Sequence, residues 1–281
     1  MRLLILGCGD IGTRVGRALT DVGWTVAGAR RAPEKLPELF TRLEIDMTQA
    51  ETYSALGECQ PDYVLVTPTP QSFDATGYRS GFFQAAQHLG AQRWLKRCRR
   101  VVWVSSTRVY REAAGGWVDE HSALHTQEPQ AVSMVSAEAC VRRSATASII
   151  RPAGVYGNPE GMLVRNVLSG RGSAPGLPFG NRIHRDDLSK LIVHCLLRDS
   201  EGDWVPPTIV ASDGDATPTY DIERWLAKQW GVSLVEDASS GRIRANRRCR
   251  SRLFKKLGFE LTYPTWREGY AQVVSAHQSL N

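Results

Sequence analysis

The sequence lacks the features of several protein classes. It has no run of 18 or more apolar residues, so no bilayer-spanning helix is expected. Its six cysteines are scattered and none forms a C-x-x-C pair, which argues against zinc and disulfides and is typical of the reducing cytoplasm. The opening MRLLILGCGDIG places glycines directly after a short apolar run, which indicates a buried strand and not a signal peptide. We therefore expect no metal, no membrane contact and a cytoplasmic location.

Lysine is also scarce, so the formal net charge of +6 comes mainly from arginine. Such a charge attracts either nucleic acid or small phosphorylated ligands. One basic cluster stands out, GRIRANRRCRSRLFKK over 241–256. We interpret it as the solvated face of a helix with Leu253 and Leu257 on its apolar side, because no interleaved aromatic residues or nucleic-acid motif accompany it. The expected partner is a small molecule and not nucleic acid, and the expected state is a monomer or homodimer.

Apolar runs alternate with helical patterns along the chain. Seven runs indicate strands: LLIL (3–6), TVAGA (25–29), RLEI (42–45), YVLV (63–66), VVWV (101–104), SII (148–150) and TIVAS (208–212). The spacing of apolar residues predicts helices near 13–23, 49–57, 79–97, 131–146, 185–197, 219–230, 246–257 and 265–276. This alternation predicts an α/β fold, a Rossmann doubly wound parallel sheet with right-handed crossovers.

The first strand is followed by GCGDIG (7–12), which opens a helix. In this context G-x-G-x-x-G predicts a dinucleotide site: Gly7 permits the tight turn, Gly9 lets the backbone approach a pyrophosphate, and Gly12 allows close helix–strand packing. The phosphates then meet free N–H groups at the helix N-terminus, at Asp10 and Ile11.

The second strand ends in Arg30 and Arg31, where an NAD site would place an acidic residue on the ribose hydroxyls. A guanidinium at this position suits a 2′-phosphate, so NADP is expected in preference to NAD; the alternative is two solvated arginines at the start of a loop. Asp46, directly after the third strand, is a candidate acceptor for the adenine amino group, and Thr67, after the fourth strand, is a further candidate cofactor contact.

Beyond Arg151 the composition changes, with Gly- and Pro-rich segments at 157–161 and 169–181 that indicate loops. We expect an NAD(P)-binding Rossmann domain over 1–157. A smaller substrate-binding or lid region is expected over 158–281, with 182–212 partly returning to the first domain.

Five motifs together resemble the extended short-chain dehydrogenase/reductases of the NAD-dependent epimerase/dehydratase family, in their atypical bacterial sugar-nucleotide-epimerase-like branch. They are GCGDIG, VSSTRVY (104–110), RPAGVYG (151–157), NRIHRDDL (181–188) and LGFELTYPTWREG (257–269). They follow the family order over nearly the whole chain. The resemblance implies bound NAD(P), a smaller C-terminal substrate domain and, in many members, a nucleotide-sugar substrate.

Site residues follow from the same resemblance. Ser106 matches the catalytic Ser/Thr and Tyr110 the tyrosine of its motif, although Ser106 is also placed to cap a turn. Pro152 resembles the loop beside the nicotinamide. His184 and Asp187 resemble an H-x-x-D element that anchors the second domain, with Asp187 capping the following helix.

The family's Tyr-x-x-x-Lys pair is absent, because none of the eight tyrosines is followed by lysine four residues later. Aligning Glu138 with the family's glutamate places Gln130 and Met134 at the two positions. Candidate proton donors are Ser106, Tyr110, His121, His125 and Tyr156.

Three functions remain open. The first is an NAD(P)-dependent oxidoreductase or epimerase with an altered acid/base set. The second is an NADP(H)-binding regulator with weak catalysis. The third and least supported is a protein that binds nucleic acid through 242–256. The last would show a strongly salt-dependent affinity for DNA.

Overall fold

The computed structural model describes residues 1–56, 59–175, 178–237 and 246–278. The chain divides into two compact units. Unit 1 comprises Met1–Arg111, Leu124–Arg151 and Ser189–Ile209, and unit 2 comprises Glu112–Ala123, Pro152–Leu188 and Val210–Asn281.

The described strands and helices alternate along the chain. The strands are β1 (Arg2–Leu6), β2 (Thr25–Arg30), β3 (Thr41–Glu44), β4 (Tyr63–Val66), β5 (Arg100–Val104), β6 (Trp117–Val118), β7 (Ala147–Pro152), β8 (Gly154–Tyr156), β9 (Arg171–Ser173), β10 (Arg182–His184), β11 (Thr208–Ala211), β12 (Val235–Asp237) and β13 (Arg248–Cys249). The helices are α1 (Asp10–Asp21), α2 (Ala75–Tyr78), α3 (Ala85–Gly90), α4 (Pro129–Ser144), α5 (Met162–Leu168), α6 (Arg185–Ser200), α7 (Thr219–Trp230), α8 (Phe254–Leu257) and α9 (Trp266–Gln278).

Seven strands form the central sheet, in the order β11-β7-β5-β4-β1-β2-β3. The pairings from β7 to β3 are parallel. The side chains of Leu3 to Leu6 in β1 are almost entirely buried, as expected of a strand covered on both faces. The strand order reverses between β1 and β4, which is where ligands bind in doubly wound folds. The predicted Rossmann-type sheet is confirmed.

The helices of unit 1 differ from the sequence predictions mainly at their ends. α1 begins at Asp10, directly after the glycine turn, and not at 13. The segment predicted as a helix over 49–57 is a 3₁₀ helix over Ala50–Leu56. The long helix predicted over 79–97 begins earlier, at α2, passes through a π-helical stretch (Arg79–Gln84) into α3, and is followed by a separate 3₁₀ helix (Arg93–Arg97).

Unit 2 has its own apolar core, formed where α5, α7 and α9 meet. The largest buried side chains in it are Trp266 and Tyr270 from α9. Three two-stranded parallel ribbons complete the unit: β8 with β10, β9 with β12, and β6 with β13. No described helix combines the length and apolar character needed to cross a membrane.

One predicted helix is wrong. The stretch over 246–257 holds β13 and the single turn α8, and residues 241–245 lie outside the described residues. The N–H of Arg248 donates to the carbonyl of Gly116 (2.8 Å) and that of Arg250 to the carbonyl of Val118 (3.1 Å). Strand pairing with a distant segment therefore outweighs the local helical spacing of Leu253 and Leu257.

Candidate cofactor site

A pocket of about 400 Å³ lies within unit 1. Its walls come from residues at or just after the carboxyl ends of β1, β2, β3 and β4, beside the point where the strand order reverses. Six residues predicted from the sequence line it: Gly7, Gly9, Arg30, Arg31, Asp46 and Thr67. The topology thus brings together side chains from four separate strand ends.

The turn after β1 needs its first glycine. Gly7 has φ +74, and a Cβ there would lie 2.7 Å from the carbonyl oxygen of Thr67. The Thr67 hydroxyl donates a hydrogen bond to the Gly7 carbonyl (2.7 Å), which ties the turn to the end of β4. The N–H groups of Gly7 and Cys8 both donate to the carbonyl of Ala29. This geometry fixes the turn against two strands.

The next two glycines have different surroundings. A Cβ on Gly12 would lie 2.8 Å from Ile5 Cγ2, so its lack of a side chain lets α1 pack closely on β1. A Cβ on Gly9 would meet only the Gly7 carbonyl, at 3.8 Å. Packing against the rest of the protein therefore explains why residue 12 is glycine but not why residue 9 is. Gly9 lines the pocket, and the space beside its Cα is not filled by protein atoms.

α1 begins at the pocket with no side chain capping it among the described residues. Its first turn therefore presents backbone N–H groups of Asp10, Ile11 and Gly12, and the helix dipole adds partial positive charge. Such an end binds phosphate groups. The Asp10 side chain points elsewhere, pairing with Arg14 at 3.0 Å, and none of these three residues is part of the pocket lining.

Three cations line the pocket: Arg30, Arg31 and Lys35. Arg30 Nη1 donates to the carbonyl of Cys8 (3.4 Å) and Arg31 Nη1 to Gln71 Oε1 (3.2 Å). Within the described part of the chain, none of the three has a carboxylate partner. The pocket carries an excess of positive charge that an anionic ligand would compensate.

Among the described residues of the lining, the single carboxylate is Asp46. Its Oδ1 accepts from the N–H (3.0 Å) and the hydroxyl (2.7 Å) of Thr48. These bonds hold the carboxylate in a turn after β3, away from an ion pair with the arginines. Its second oxygen stays available as an acceptor at the pocket wall.

Some pocket residues escaped prediction. Besides Lys35 and Gln71, the lining includes Cys8, Ala32, Ile45, Met47, Thr48, Thr69 and Gly81. Lys35 lies in the same loop as the two arginines, so a third cation shortly after β2 was a usable signal. Gln71 follows β4 in an irregular segment, and no sequence pattern marked it as a pocket residue. Cys8 is fully buried, and burial raises the pKa of its thiol to about 11.

Predicted catalytic residues lie at the end of β5. Ser106 Oγ accepts a hydrogen bond from the N–H of Arg108 (3.1 Å), so it caps a one-turn 3₁₀ helix over Thr107–Val109. Its hydroxyl hydrogen has no acceptor among the described residues. Tyr110 has no exposed surface, and Arg151 Nη1 donates to its hydroxyl (3.1 Å). The burial of Tyr110 favours a structural role over proton transfer to a substrate.

Tyr110 belongs to a buried polar network. Arg151 and Glu138 form a two-pronged ion pair, Nε to Oε1 at 3.1 Å and Nη2 to Oε2 at 2.6 Å, and the Ser105 hydroxyl donates to Glu138 Oε1 (2.6 Å). Burial alone would lower the pKa of Arg151, but the bonds to Glu138 raise it above its ordinary value. The network ties α4 to β5 and β7.

The positions matched to the family's Tyr-Lys pair lie at the beginning of α4. Met134 is buried at 1% exposure, and Gln130 is half-buried in the first turn. Glu128 caps α4 by accepting from the N–H of Ala131 (2.6 Å) and pairs with Arg108. Burial opposes ionisation of Glu128, yet these bonds lower its pKa overall.

Three other proposed proton donors have different surroundings. His121 is exposed, and its backbone N–H donates to Asp119 Oδ1 (3.0 Å). His125 is half-buried, and its backbone N–H donates to the Val109 carbonyl (2.8 Å). The hydroxyl of Tyr156 is buried, without a partner among the described residues, and burial raises its pKa far above the ordinary value.

The H-x-x-D element stabilises unit 2. His184 is fully buried and burial lowers its pKa, so the imidazole stays neutral and its Nδ1 accepts from the N–H of Asp186 (3.2 Å). The Asp187 carboxylate accepts from the N–H groups of Thr262 (2.6 Å) and Tyr263 (2.9 Å). Pro152, the last residue of β7, is buried and does not line the cofactor pocket.

The fold and pocket define a dinucleotide-binding protein of the Rossmann class. A family model described as NAD(P)H-binding matches residues 7–199, more than half of the chain. The chain belongs to this NAD(P)H-binding family. Among curated proteins, no match was found.

Solved structures share the fold over the full length. A protein described as a candidate NAD-dependent epimerase/dehydratase from Methylobacillus flagellatus is 25% identical, with 99% of this chain and 98% of that chain covered and a TM-score of 0.79. MoeE5 in complex with UDP-glucuronic acid and NAD is 20% identical, with 100% of both chains covered and a TM-score of 0.80. Human epimerase family protein SDR39U1 with NADPH is 17% identical, with 99% of each chain covered and a TM-score of 0.76. The resemblance to the epimerase/dehydratase family is confirmed.

Proposed function

We propose that this chain is an NADP(H)-dependent, epimerase/dehydratase-like oxidoreductase that acts on a nucleotide-sugar or a related small polar substrate without the Tyr-x-x-x-Lys pair. The nicotinamide, when bound, supplies or accepts a hydride. The protein's part is to bind and orient the cofactor and the substrate.

The observation that carries the cofactor preference is the unbalanced charge of the pocket. Arg30, Arg31 and Lys35 face one carboxylate, Asp46, which is held by Thr48. A 2′-phosphate supplies the anion that these cations lack, whereas the ribose hydroxyls of NAD would call for an acid at the end of β2.

The remaining contacts follow from position. Gly7 and Gly9 let the backbone approach the pyrophosphate, and the N–H groups of Asp10, Ile11 and Gly12 bind its oxygens. The free oxygen of Asp46 accepts from the adenine amino group, and Thr67 closes the pocket beside the turn. Pro152 is assigned to the loop beside the nicotinamide and Ser106 to a substrate hydroxyl or carbonyl.

The substrate class rests on the similar proteins. MoeE5 was solved with UDP-glucuronic acid, and another similar structure is a UDP-glucose 4-epimerase from Thermotoga maritima with UDP-glucose, 18% identical at a TM-score of 0.78 over the full length of both chains. General acid–base catalysis contributes about 10²–10⁴-fold, so a chain without the pair should turn such substrates over slowly.

The residues at the beginning of α4, which lack the family's Tyr-Lys pair, favour a second candidate function, an NADP(H)-binding regulator with weak catalysis. Met134 carries no proton, Gln130 does not titrate, and the Tyr110 hydroxyl is buried against Arg151. The two candidates share the cofactor site and differ only in turnover.

Calorimetry with NADPH and NADH tests the shared part. We expect the wild type to bind NADPH roughly 10- to 100-fold more tightly, the value of charge-assisted hydrogen bonds to a phosphate. Arg30→Ala/Arg31→Ala should remove most of that preference. Arg17→Ala, at an exposed arginine on α1 outside the pocket, is the matched control and should keep it. Equal affinities in the wild type would refute NADP specificity.

Turnover separates the two candidates. UDP-glucose or UDP-glucuronic acid is incubated with the protein and NADP⁺, and products are followed by mass spectrometry. Slow conversion that Ser106→Ala abolishes supports the enzyme, and its absence with intact NADPH binding supports the regulator. Rapid epimerisation would contradict the inferred consequence of the missing pair.

A further inference from the structure

The loop between β4 and α2 forms part of the wall of the cofactor pocket. Thr69 and Gln71 from this loop line the pocket, together with Arg31, which directly follows β2. Arg31 Nη1 donates to Gln71 Oε1 at 3.2 Å, across 40 positions of the chain. Both residues are exposed, so the bond orders an arginine side chain that would otherwise sample several rotamers.

The backbone of Gln71 is fixed within its own loop. Its N–H donates to the carbonyl of Gly77 (3.1 Å), and the N–H of Gly77 donates in turn to Asp74 Oδ1 (2.7 Å). The same carboxylate oxygen accepts from the Ser72 hydroxyl (2.7 Å). A Cβ on Gly77 would collide with the backbone of Ser72, so glycine lets the loop close on itself. Gln71 therefore has a defined position, from which its side chain reaches Arg31.

The loop is also fixed against the helical segment that follows it. Gly81, in the π-helical stretch after α2, lines the same pocket. A Cβ on Gly81 would collide with the carbonyl oxygen of Thr69 and would lie 2.8 Å from the Cα of Pro70. This close approach sets the distance of the loop from the pocket, and with it the place of the Gln71 amide at the wall.

The chemistry of the amide matters as much as its position. A guanidinium only donates hydrogen bonds, so the amide oxygen is the end that faces Arg31. The amide is neutral, and the bond therefore holds the guanidinium without cancelling its positive charge. A carboxylate at position 71 would bind the guanidinium more strongly, but it would neutralise the charge and repel a phosphate. An amide is thus the group that orients Arg31 and leaves its charge available to an anion.

We propose that Gln71 is a positioning residue for the choice of cofactor: it holds Arg31 in the orientation that binds the 2′-phosphate of NADP(H). This role rests on the proposed function, because it requires that the anion at this wall is that phosphate. NAD(H) carries no such phosphate, so the effect of Gln71 is specific to the phosphorylated cofactor.

Calorimetry with NADPH and NADH on Gln71 variants tests the proposal. Gln71→Ala removes the acceptor for Arg31 and should weaken NADPH binding about 3- to 5-fold, the value of an ordered contact at an exposed charge. Gln71→Glu should weaken NADPH binding more, about 10-fold or above, because the new carboxylate pairs with Arg31 and repels the phosphate. NADH affinity should stay the same or rise in Gln71→Glu, since an acid at this wall can accept from the ribose hydroxyls.

A double-mutant cycle shows whether Gln71 acts through the arginine. Arg31→Ala and Arg31→Ala/Gln71→Ala complete the cycle with the wild type and Gln71→Ala. In the Arg31→Ala background, Gln71→Ala should leave NADPH affinity unchanged, because the group that it positions is already missing. An equal loss of NADPH affinity in both backgrounds would show that Gln71 acts independently of Arg31 and would overturn the positioning role.

Gln87→Ala and Gln87→Glu are the matched controls, because Gln87 is an exposed glutamine on α3 that is not part of the pocket lining. Both should keep wild-type affinity for the two cofactors. A parallel loss of NADPH and NADH affinity in the Gln71 variants would mean a structural role and overturn the proposal. Equal affinities in the wild type would refute the NADP preference and this role with it. A wild-type preference for NADPH that both Gln71 variants retain would overturn this role alone.

Discussion

Two polar regions of unit 1 contrast in how their groups are satisfied. At the ends of β1 to β4, Arg30, Arg31 and Lys35 surround a pocket without carboxylate partners among the described residues. At the end of β5 and along α4, the polar groups satisfy one another: Glu138 with Arg151, and Glu128 with Arg108. Unpaired charge at a pocket indicates a ligand, whereas paired and buried charge indicates architecture.

The contrast suggests how this chain differs from catalytic members of its fold. The pocket keeps the glycine turn, the open helix end and the cations that a dinucleotide requires. The positions where a Tyr-Lys pair would stand instead hold Gln130 and a core methionine, Met134. Substitutions in the pocket are expected to change cofactor binding, and substitutions in the paired region are expected to change stability.

The largest expected effect is on stability, in the paired region. Glu138→Leu leaves the Arg151 guanidinium buried without its partner, which costs about 3–5 kcal/mol of unfolding free energy. Replacing both residues, as in Glu138→Leu/Arg151→Met, should recover most of that loss, because an apolar pair of similar volume is nearly neutral. Urea denaturation followed by circular dichroism measures both variants.

The matched control is Glu128→Ala, since the Glu128 side chain is 31% exposed against 3% for Glu138. It should cost only about 1 kcal/mol, the value of a helix cap with a partly solvated ion pair. Similar losses for Glu128→Ala and Glu138→Leu would show that the buried network is not special.

The second effect is on binding, in the pocket. Gly9→Val should reduce NADPH affinity by at least about 100-fold, or about 2.7 kcal/mol, because the new side chain occupies the approach to the pyrophosphate. The fold should be unaffected, since a Cβ at Gly9 meets only the Gly7 carbonyl at 3.8 Å. Calorimetry and a melting curve check the two parts. Wild-type affinity in the variant would mean that the turn is structural only.

The sequence predicted the glycine turn of this pocket because the requirements of the turn are local. A strand, three spaced glycines and a helix occur within one short segment, so Gly7, Gly9 and Gly12 could be assigned roles directly. Arg30 and Arg31 followed from their place at the end of β2. Gln71 could not be predicted, because only the assembled sheet brings it to Arg31.

Elsewhere the missing information was long-range. The expected helix over 246–257 failed because β13 pairs with β6, far away in the chain. Tyr110 was a catalytic candidate by motif, and only the structure places it in the core against Arg151. A pocket in unit 2, lined by described residues from four separate segments (Trp117, Phe179, 213–218 and Arg248), has no local motif at all.

The third effect is a pH dependence in unit 2. The pKa of Asp213, raised to about 7 by burial, lies well above the ordinary value of about 3.9, although the N–H of Asp215 and the charge of Arg182 oppose the shift. The native state therefore holds this proton more tightly than the unfolded chain, and stability falls as the pH rises from about 4 to 7. The slope is at most about 1.4 kcal/mol per pH unit, and we expect a total of about 1–2 kcal/mol between pH 5 and 7.

Asp213→Asn should remove that dependence, so the variant gains stability relative to the wild type as the pH rises from 5 to 7. Thermal melting at both pH values measures the difference. Asp221→Asn, at an exposed position in the first turn of α7, provides the control and should follow the wild type. Parallel behaviour of all three proteins would contradict the shifted titration.

The smallest expected effect concerns Lys35, the cation that the sequence did not single out. Lys35 is exposed at the pocket wall, and its charge is therefore partly screened by solvent and salt. Lys35→Ala should weaken NADPH binding about 3- to 10-fold and leave NADH binding unchanged, because only NADPH carries the 2′-phosphate. This corresponds to about 1 kcal/mol for an exposed ion pair.

Raising the salt concentration should shrink the difference in NADPH affinity between wild type and variant, since exposed charges are screened within about 10 Å at 0.1 M salt. Arg17→Ala, which removes an exposed cation outside the pocket, should change neither affinity. An equal loss for NADPH and NADH would place Lys35 on the pyrophosphate shared by both cofactors, and the 2′-phosphate would then rest on Arg30 and Arg31 alone.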